Sequence, residues 1–155
     1  MFYYVNKLKE ILEQNLGDKV GYYLVGTIEN IPKEVASSNF ILLRPVSSII
    51  EVADTQRDSV RGLIEVYVGT DIRKNWDEDD YTTAFLVDCM DIMEGTNDNG
   101  VLNTNTVLAQ VRQNICSSWI NQSSLEVDYT NQRDEEYTYT IKLTVEIYDQ
   151  RNRNN

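Results

Sequence analysis

Tyr137-Thr-Tyr-Thr-Ile-Lys-Leu-Thr-Val-Glu-Ile-Tyr148 is the stretch on which the fold turns. Tyr137, Tyr139, Ile141, Leu143, Val145 and Ile147 take the odd positions, while Thr138, Thr140, Lys142, Thr144 and Glu146 take the even ones. A period of two sends these sets to opposite faces of a strand, one apolar and one polar. At about 3.3 Å per residue the run would measure roughly 40 Å, beyond the usual strand of about five or six residues. Such a strand outgrows the core beneath it. It holds no nucleophile, metal-ligand spacing or glycine-rich phosphate loop, so it reads as scaffold or assembly surface.

Immediately before it, Leu125, Val127 and Tyr129 alternate with Glu126 and Asp128. The polar residues 130–136 between the two runs make them a hairpin with a wide, solvated loop. Further upstream, residues 60–69 place Ile64, Val66 and Val68 on one face, and residues 40–44 form an apolar strand that Pro45 limits. Residues 48–54 extend that strand after a kink, and the polar turn at 54–58 joins the two runs as an antiparallel pair. Residues 18–27 give a first strand, weakened by Gly21 and Gly26, for which an edge position is the alternative. Residues 29–39, with Pro32, Ser37, Ser38 and Asn39, form a connection.

Helical spacing appears in three places. Val5, Leu8, Ile11, Leu12 and Leu16 make one stripe with Gly17 at its stop. Tyr81, Phe85, Cys89, Ile92 and Met93 predict a second helix over residues 79–94, ending at Gly95. Val107, Leu108, Val111 and Ile115 predict a short third, after a polar loop at 96–105. The expected architecture is α+β: a mainly antiparallel sheet with two or three helices packed on one face. Residues 1–149 form a single domain and residues 150–155 a short polar C-terminal tail.

The chain has 155 residues, a size that buries a core without disulfides or metal. Its formal charge of −11 argues against gripping nucleic acid or anionic membranes, and no apolar run reaches the roughly 20 residues that span a bilayer. Lys7, Lys9 and Glu10 interrupt the apolar segment a secretory signal needs, so no targeting segment is expected. Cys89 and Cys116 suit small buried hydrophobes rather than a disulfide framework. Histidine is absent, which removes the commonest general base and the commonest transition-metal ligand. No enzyme activity and no cofactor are expected.

The acidic run Trp76-Asp-Glu-Asp-Asp-Tyr81 invites a divalent-cation reading, and with it a metal-dependent hydrolase, but it lacks the spacing of a calcium loop. Helix capping by Asp77 or Asp79 accounts for it better. Serines 37, 38, 47, 48, 117, 118, 123 and 124 have no nucleophile-elbow context and suit turns and caps. Trp76 and Trp119 suit either a partner anchor or the core. Arg151 and Arg153 close an otherwise acidic chain, and such a basic tail can dock on a neighbouring copy. The candidate subunit or partner interface is therefore Thr140, Lys142, Thr144 and Glu146 on the polar strand face, with Arg151 and Arg153 beyond it.

This order of elements resembles the tail terminator proteins of long-tailed bacteriophages and phage-tail-like particles. The residues that carry the likeness are the N-terminal amphipathic helix, the strand pair Phe40-Ile-Leu-Leu-Arg-Pro-Val46 and Val60-Arg-Gly-Leu-Ile-Glu-Val-Tyr-Val-Gly69, the helix at 79–94 and the closing hairpin. The resemblance covers nearly the whole chain and is one of pattern, without a diagnostic motif. It implies a non-enzymatic ring, usually a hexamer, that caps the tail tube, stops its polymerisation and presents a surface to the head or neck. The implied partners are other copies of the chain, the tube protein, and sheath and neck proteins, in the virion tail or a tail-like particle assembled in the bacterial cytoplasm. An acidic lumen would let DNA slide through without tight binding. Residues 48–54 and 96–105 are extra relative to that pattern. A neck, head-tail joining or tail-completion protein of the same fold, or a non-phage binding or adaptor module, remains the alternative.

Overall fold

A computed structural model describes residues 2–71, 73, 76–77, 82–83, 85, 89, 122–128 and 138–153, with backbone alone for 30, 76–77, 82–83 and 122–128. The chain begins with α1, Phe2–Leu16, whose Val5, Leu8, Leu12 and Leu16 are buried on one stripe. Each such side chain contributes about 1.5–3 kcal/mol by leaving water. Gly17, at φ +52°, ends the helix in the left-handed region that glycine enters without a Cβ penalty.

The principal sheet holds β1 (Tyr22–Val25), β2 (Phe40–Val52), β3 (Arg57–Asp71), β6 (Gln122–Asp128) and β7 (Thr138–Asn152), in the order β1-β2-β3-β7-β6. β1 pairs parallel to β2, and the other neighbours are antiparallel. A separate pair joins β4 (Trp76–Asp77) to β5 (Thr82–Thr83). The architecture is α+β, with a mainly antiparallel sheet. α1 and the helical residues Phe85 and Cys89 pack on one face, against Ile41, Leu43, Ile64, Val66, Leu143 and Val145.

The parallel start needs a crossover, which hairpin-sized turns cannot supply. Residues 26–39 provide it with a 3-10 turn, Ile28–Asn30, and the single-turn α2, Lys33–Ala36, where sequence periodicity gave only a connection. Ile28, Ile31, Val35 and Ala36 close over Phe40, Leu42 and Tyr67 in a second apolar cluster. Those sheet residues neighbour Ile41, Leu43, Val66 and Val68 along the strands and so lie on the opposite face.

Three strands run past this core. β2 is one strand through Pro45, because the register shift between Pro45 and Ser47 absorbs the residue that cannot donate. The kinked extension expected over 48–54 is strand to Val52. β3 and β7 are each 15 residues long and pair from Arg57↔Asn152 to Asp71↔Thr138.

Two expectations change. Gln150, Arg151 and Asn152, expected in a polar tail, are strand residues opposite Ser59, Asp58 and Arg57. The helix expected from residue 79 does not start there, since Thr82 and Thr83 bridge Asp77 and Trp76 as strand. Backbone pairing with the preceding segment competes with the apolar stripe at that end, and helical state is present at Phe85 and Cys89. The rest of that helix, the third helix near 107–115 and the loop at 96–105 lie outside the described residues. Among the described residues no helix is long and apolar enough to cross a membrane.

Candidate assembly surface

The alternation of β7 fixes which of its side chains point outward. On the face away from α1, Lys142, Thr144 and Glu146 are half-buried and stand beside Tyr67, Glu65 and Leu63 of β3. Glu65 gathers three partners there. Arg44 Nη1 donates to its Oε1 at 3.0 Å, Tyr67 Oη donates to its Oε2 at 2.7 Å, and Lys142 Nζ lies 3.9 Å away. Burial, followed by the hydrogen bond to Glu65, pushes the Tyr67 hydroxyl up to about 12.

One step along, Arg61 Nη2 lies 3.4 Å from both Glu146 Oε1 and Tyr148 Oη, and its guanidinium sits 5.2 Å over the Tyr148 ring. Tyr148 Oη also donates to Glu146. These contacts, that with Glu146 first, raise the Arg61 guanidinium above its ordinary range. Cross-strand ion pairs of this kind knit β3 to β7 and leave an outer face of alternating charge.

The six residues expected at an interface do not form one patch. Thr140 is fully buried, because the crossover covers its end of the face and Thr138 beside it donates to Ala36 O at 3.0 Å. It is therefore no surface contact. Lys142, Thr144 and Glu146 stay together. Arg151 belongs to the helix-bearing face, stacked 4.4 Å over Tyr3 and 5.1 Å over Tyr4. Arg153 lies at the far tip, where Nε donates to Asp58 Oδ1 at 2.9 Å and Nη1 to Thr55 O at 3.1 Å.

That tip holds the feature the sequence reading did not single out. β1 pairs with β2 only over Phe40 to Leu43, and Gly26 N donates to Leu43 O at 3.0 Å at the end of that pairing. Among the described residues no strand lies along the outer edge of β2 from Arg44 to Val52. Along it Val46 is 46% exposed, Ile49 50%, Ile50 64% and Val52 74%. At the same end, an open groove of about 680 Å³ lies across the helix-bearing face of the sheet, lined by Tyr4, Ile50, Asp58, Val60, Arg151, Asn152 and Arg153. The signal was present as an apolar run, Ile49-Ile50-Glu51-Val52, which no helix among the described residues covers.

This surface offers backbone donors and acceptors, apolar side chains and paired charges, which suit strand addition by a partner. It offers no cluster for metal-assisted chemistry: among the described residues no three acidic or cysteine side chains converge. The acidic run after Trp76 lies outside the described residues except for the backbone of Asp77, as does Trp119. Comparison of the sequence with protein-family models and with curated proteins returns no match.

Proposed function

We propose that the chain is a structural subunit that assembles into a ring, in the role of a tail terminator that caps a tail tube and stops its growth. The open edge of β2, with exposed Val46, Ile49, Ile50 and Val52, carries this reading. An apolar strand edge of this length is an aggregation hazard for a monomer and an asset for a closed assembly, in which every edge finds a neighbour. The absence of histidine and the charge of −11 agree with a role without catalysis or tight DNA binding.

Electron microscopy of the purified protein, alone and mixed with the tube protein, tests the proposal. Closed rings that seat on tube ends and halt elongation are expected. A monomer that leaves tube length unchanged overturns it. Rings that bind only the head-side neighbour would assign the chain to the neck instead.

A further inference from the structure

The part of β2 that β1 leaves open and β6, the last strand at the other end of the sheet, match one another. β2 runs antiparallel to β3, β3 to β7 and β7 to β6, so β2 and β6 point in opposite directions. A second copy turned about an axis along the strands keeps those directions and brings its β6 antiparallel to the open edge of β2. The levels also agree. Arg44 stands opposite Glu65, Glu65 opposite Thr144, and Thr144 opposite Glu126, which sets Arg44 and Glu126 at one height on the two edges. By the same route Ser48 is level with Ser123, and Ile49 with Gln122.

We propose that residues 44–49 of β2 take β6 of a second copy as an antiparallel neighbour, with Arg44 level with Glu126 of that copy. This rests on the ring reading above and specifies its joint. Length sets its extent: Gln122 to Glu126 lie along the edge that begins at Arg44, while Val127 and Asp128 are level with Leu43 and Leu42, which β1 holds, so the incoming strand must leave the ladder after Glu126. Charge supports the pairing. The Arg44 side chain is 44% exposed with one carboxylate, Glu65, beside it, and a guanidinium has donors for a second. Pro45 and the bulge at Val46 guard the same edge against indiscriminate pairing, so a partner must match the extra residue. The joint is heterologous, and repetition of one rotation closes it into a ring.

Arg44→Cys and Glu126→Cys, made separately and in one chain, test the joint by mild oxidation of the assembled protein. The wild type and each single variant are expected to run as one chain on a denaturing gel. The co-expressed singles should give a two-chain band, and the double variant a ladder reaching ring size. Ser48→Cys with Ser123→Cys lies at the other hydrogen-bonding parity of the ladder and covers a first pair whose geometry disfavours a disulfide. Rings in which neither double variant gives a ladder overturn the strand pairing and leave the ring reading standing. A protein that sediments as a monomer overturns both.

Discussion

Tyr4 Oη donates a 2.7 Å hydrogen bond to Asp149 Oδ2, tying the first turn of α1 to the strand that closes the fold. Both residues are buried, at 1% and 4% exposure. The carboxylate also accepts from Gln150 N at 2.8 Å and lies 4.0 Å from Arg151 Nε. Tyr4→Phe keeps the ring and removes one donor from a buried charge. A loss of about 1–3 kcal/mol in urea unfolding is expected. A change within about 0.5 kcal/mol would show that the remaining donors suffice.

Gly69 faces Phe40 across the β2–β3 ladder, and a Cβ added there would fall among the Cζ, Cε1 and Cε2 atoms of that ring. Phe40 is fully buried and packed in the cluster under α2, so the ring has nowhere to swing. Gly69→Ala is expected to cost about 1–3 kcal/mol by overpacking. Phe40→Leu in that background shortens the clashing side chain. Their double-mutant cycle in chemical denaturation should show a coupling of at least about 0.5 kcal/mol, and additive costs would refute the contact.

Tyr67 ionises only near 12, because burial and then the hydrogen bond to Glu65 favour its neutral form. Its folded value lies above the ordinary 10.0, so its contribution to stability is fully present below pH 10 and is lost as pH rises through 12. Tyr23, pushed to about 12 by burial and then by Glu13, behaves alike. Tyr67→Phe should remove one late-ionising phenol from the ultraviolet titration and flatten the loss of stability above pH 10. An unchanged late phase would contradict the assignment.

The period-two run of β7 was legible because each apolar odd residue from Ile141 to Ile147 found the buried face of one sheet. The stripe of α1 and its stop at Gly17 were legible for the same reason: local pattern and packing agree. α2 was not, since four residues are too few to show a helical period. The boundary expected at residue 79 failed because the bridge of Thr82 and Thr83 to Trp76 and Asp77 is a tertiary choice that an apolar stripe does not reveal.

The candidate site was legible only in part. Alternation told which face Thr140 shares with Lys142, but not that the crossover would cover the Thr138 and Thr140 end of that face and leave Lys142 to Glu146 open. Polarity made residues 150–152 look like a tail. Their strand state comes from β3, which is long enough to offer them a ladder. The open edge of β2 follows from β1 stopping at Val25, and no property of the β2 sequence encodes the length of its neighbour.

Asp54 organises the turn at the tip of the hairpin. Its Oδ1 accepts from Gln56 N and Arg57 N, both at 2.8 Å, and its Oδ2 accepts from Arg57 Nε at 2.8 Å. The Gln56 backbone bond first, and then the Arg57 side chain, lower its carboxyl below 3.8. Its contribution is therefore present above the ordinary carboxylate range and lost as pH falls through the depressed folded value. Asp54→Asn should lower stability at neutral pH and narrow its gap to the wild type below about pH 4. A gap that stays constant down to pH 2 would show that the ionised form is not what the turn requires.

Arg153 fastens the end of the chain to that same turn. Its backbone N–H donates to Gln56 O at 2.7 Å, and its side chain reaches Asp58 and Thr55. Removing residues 151–155 therefore takes away ladder pairing as well as charge, so the truncated protein is expected to lose stability along with any loss of assembly. Arg153→Ala with Asp58→Ala separates these effects. Both side chains are about one-third exposed, at 35% and 32%, so solvent screens the pair and a coupling of about 0.2–1 kcal/mol is expected in denaturant unfolding. If ring formation falls in Arg153→Ala while that coupling is absent, the arginine serves a neighbour; if both fall together, it serves the tip of its own sheet.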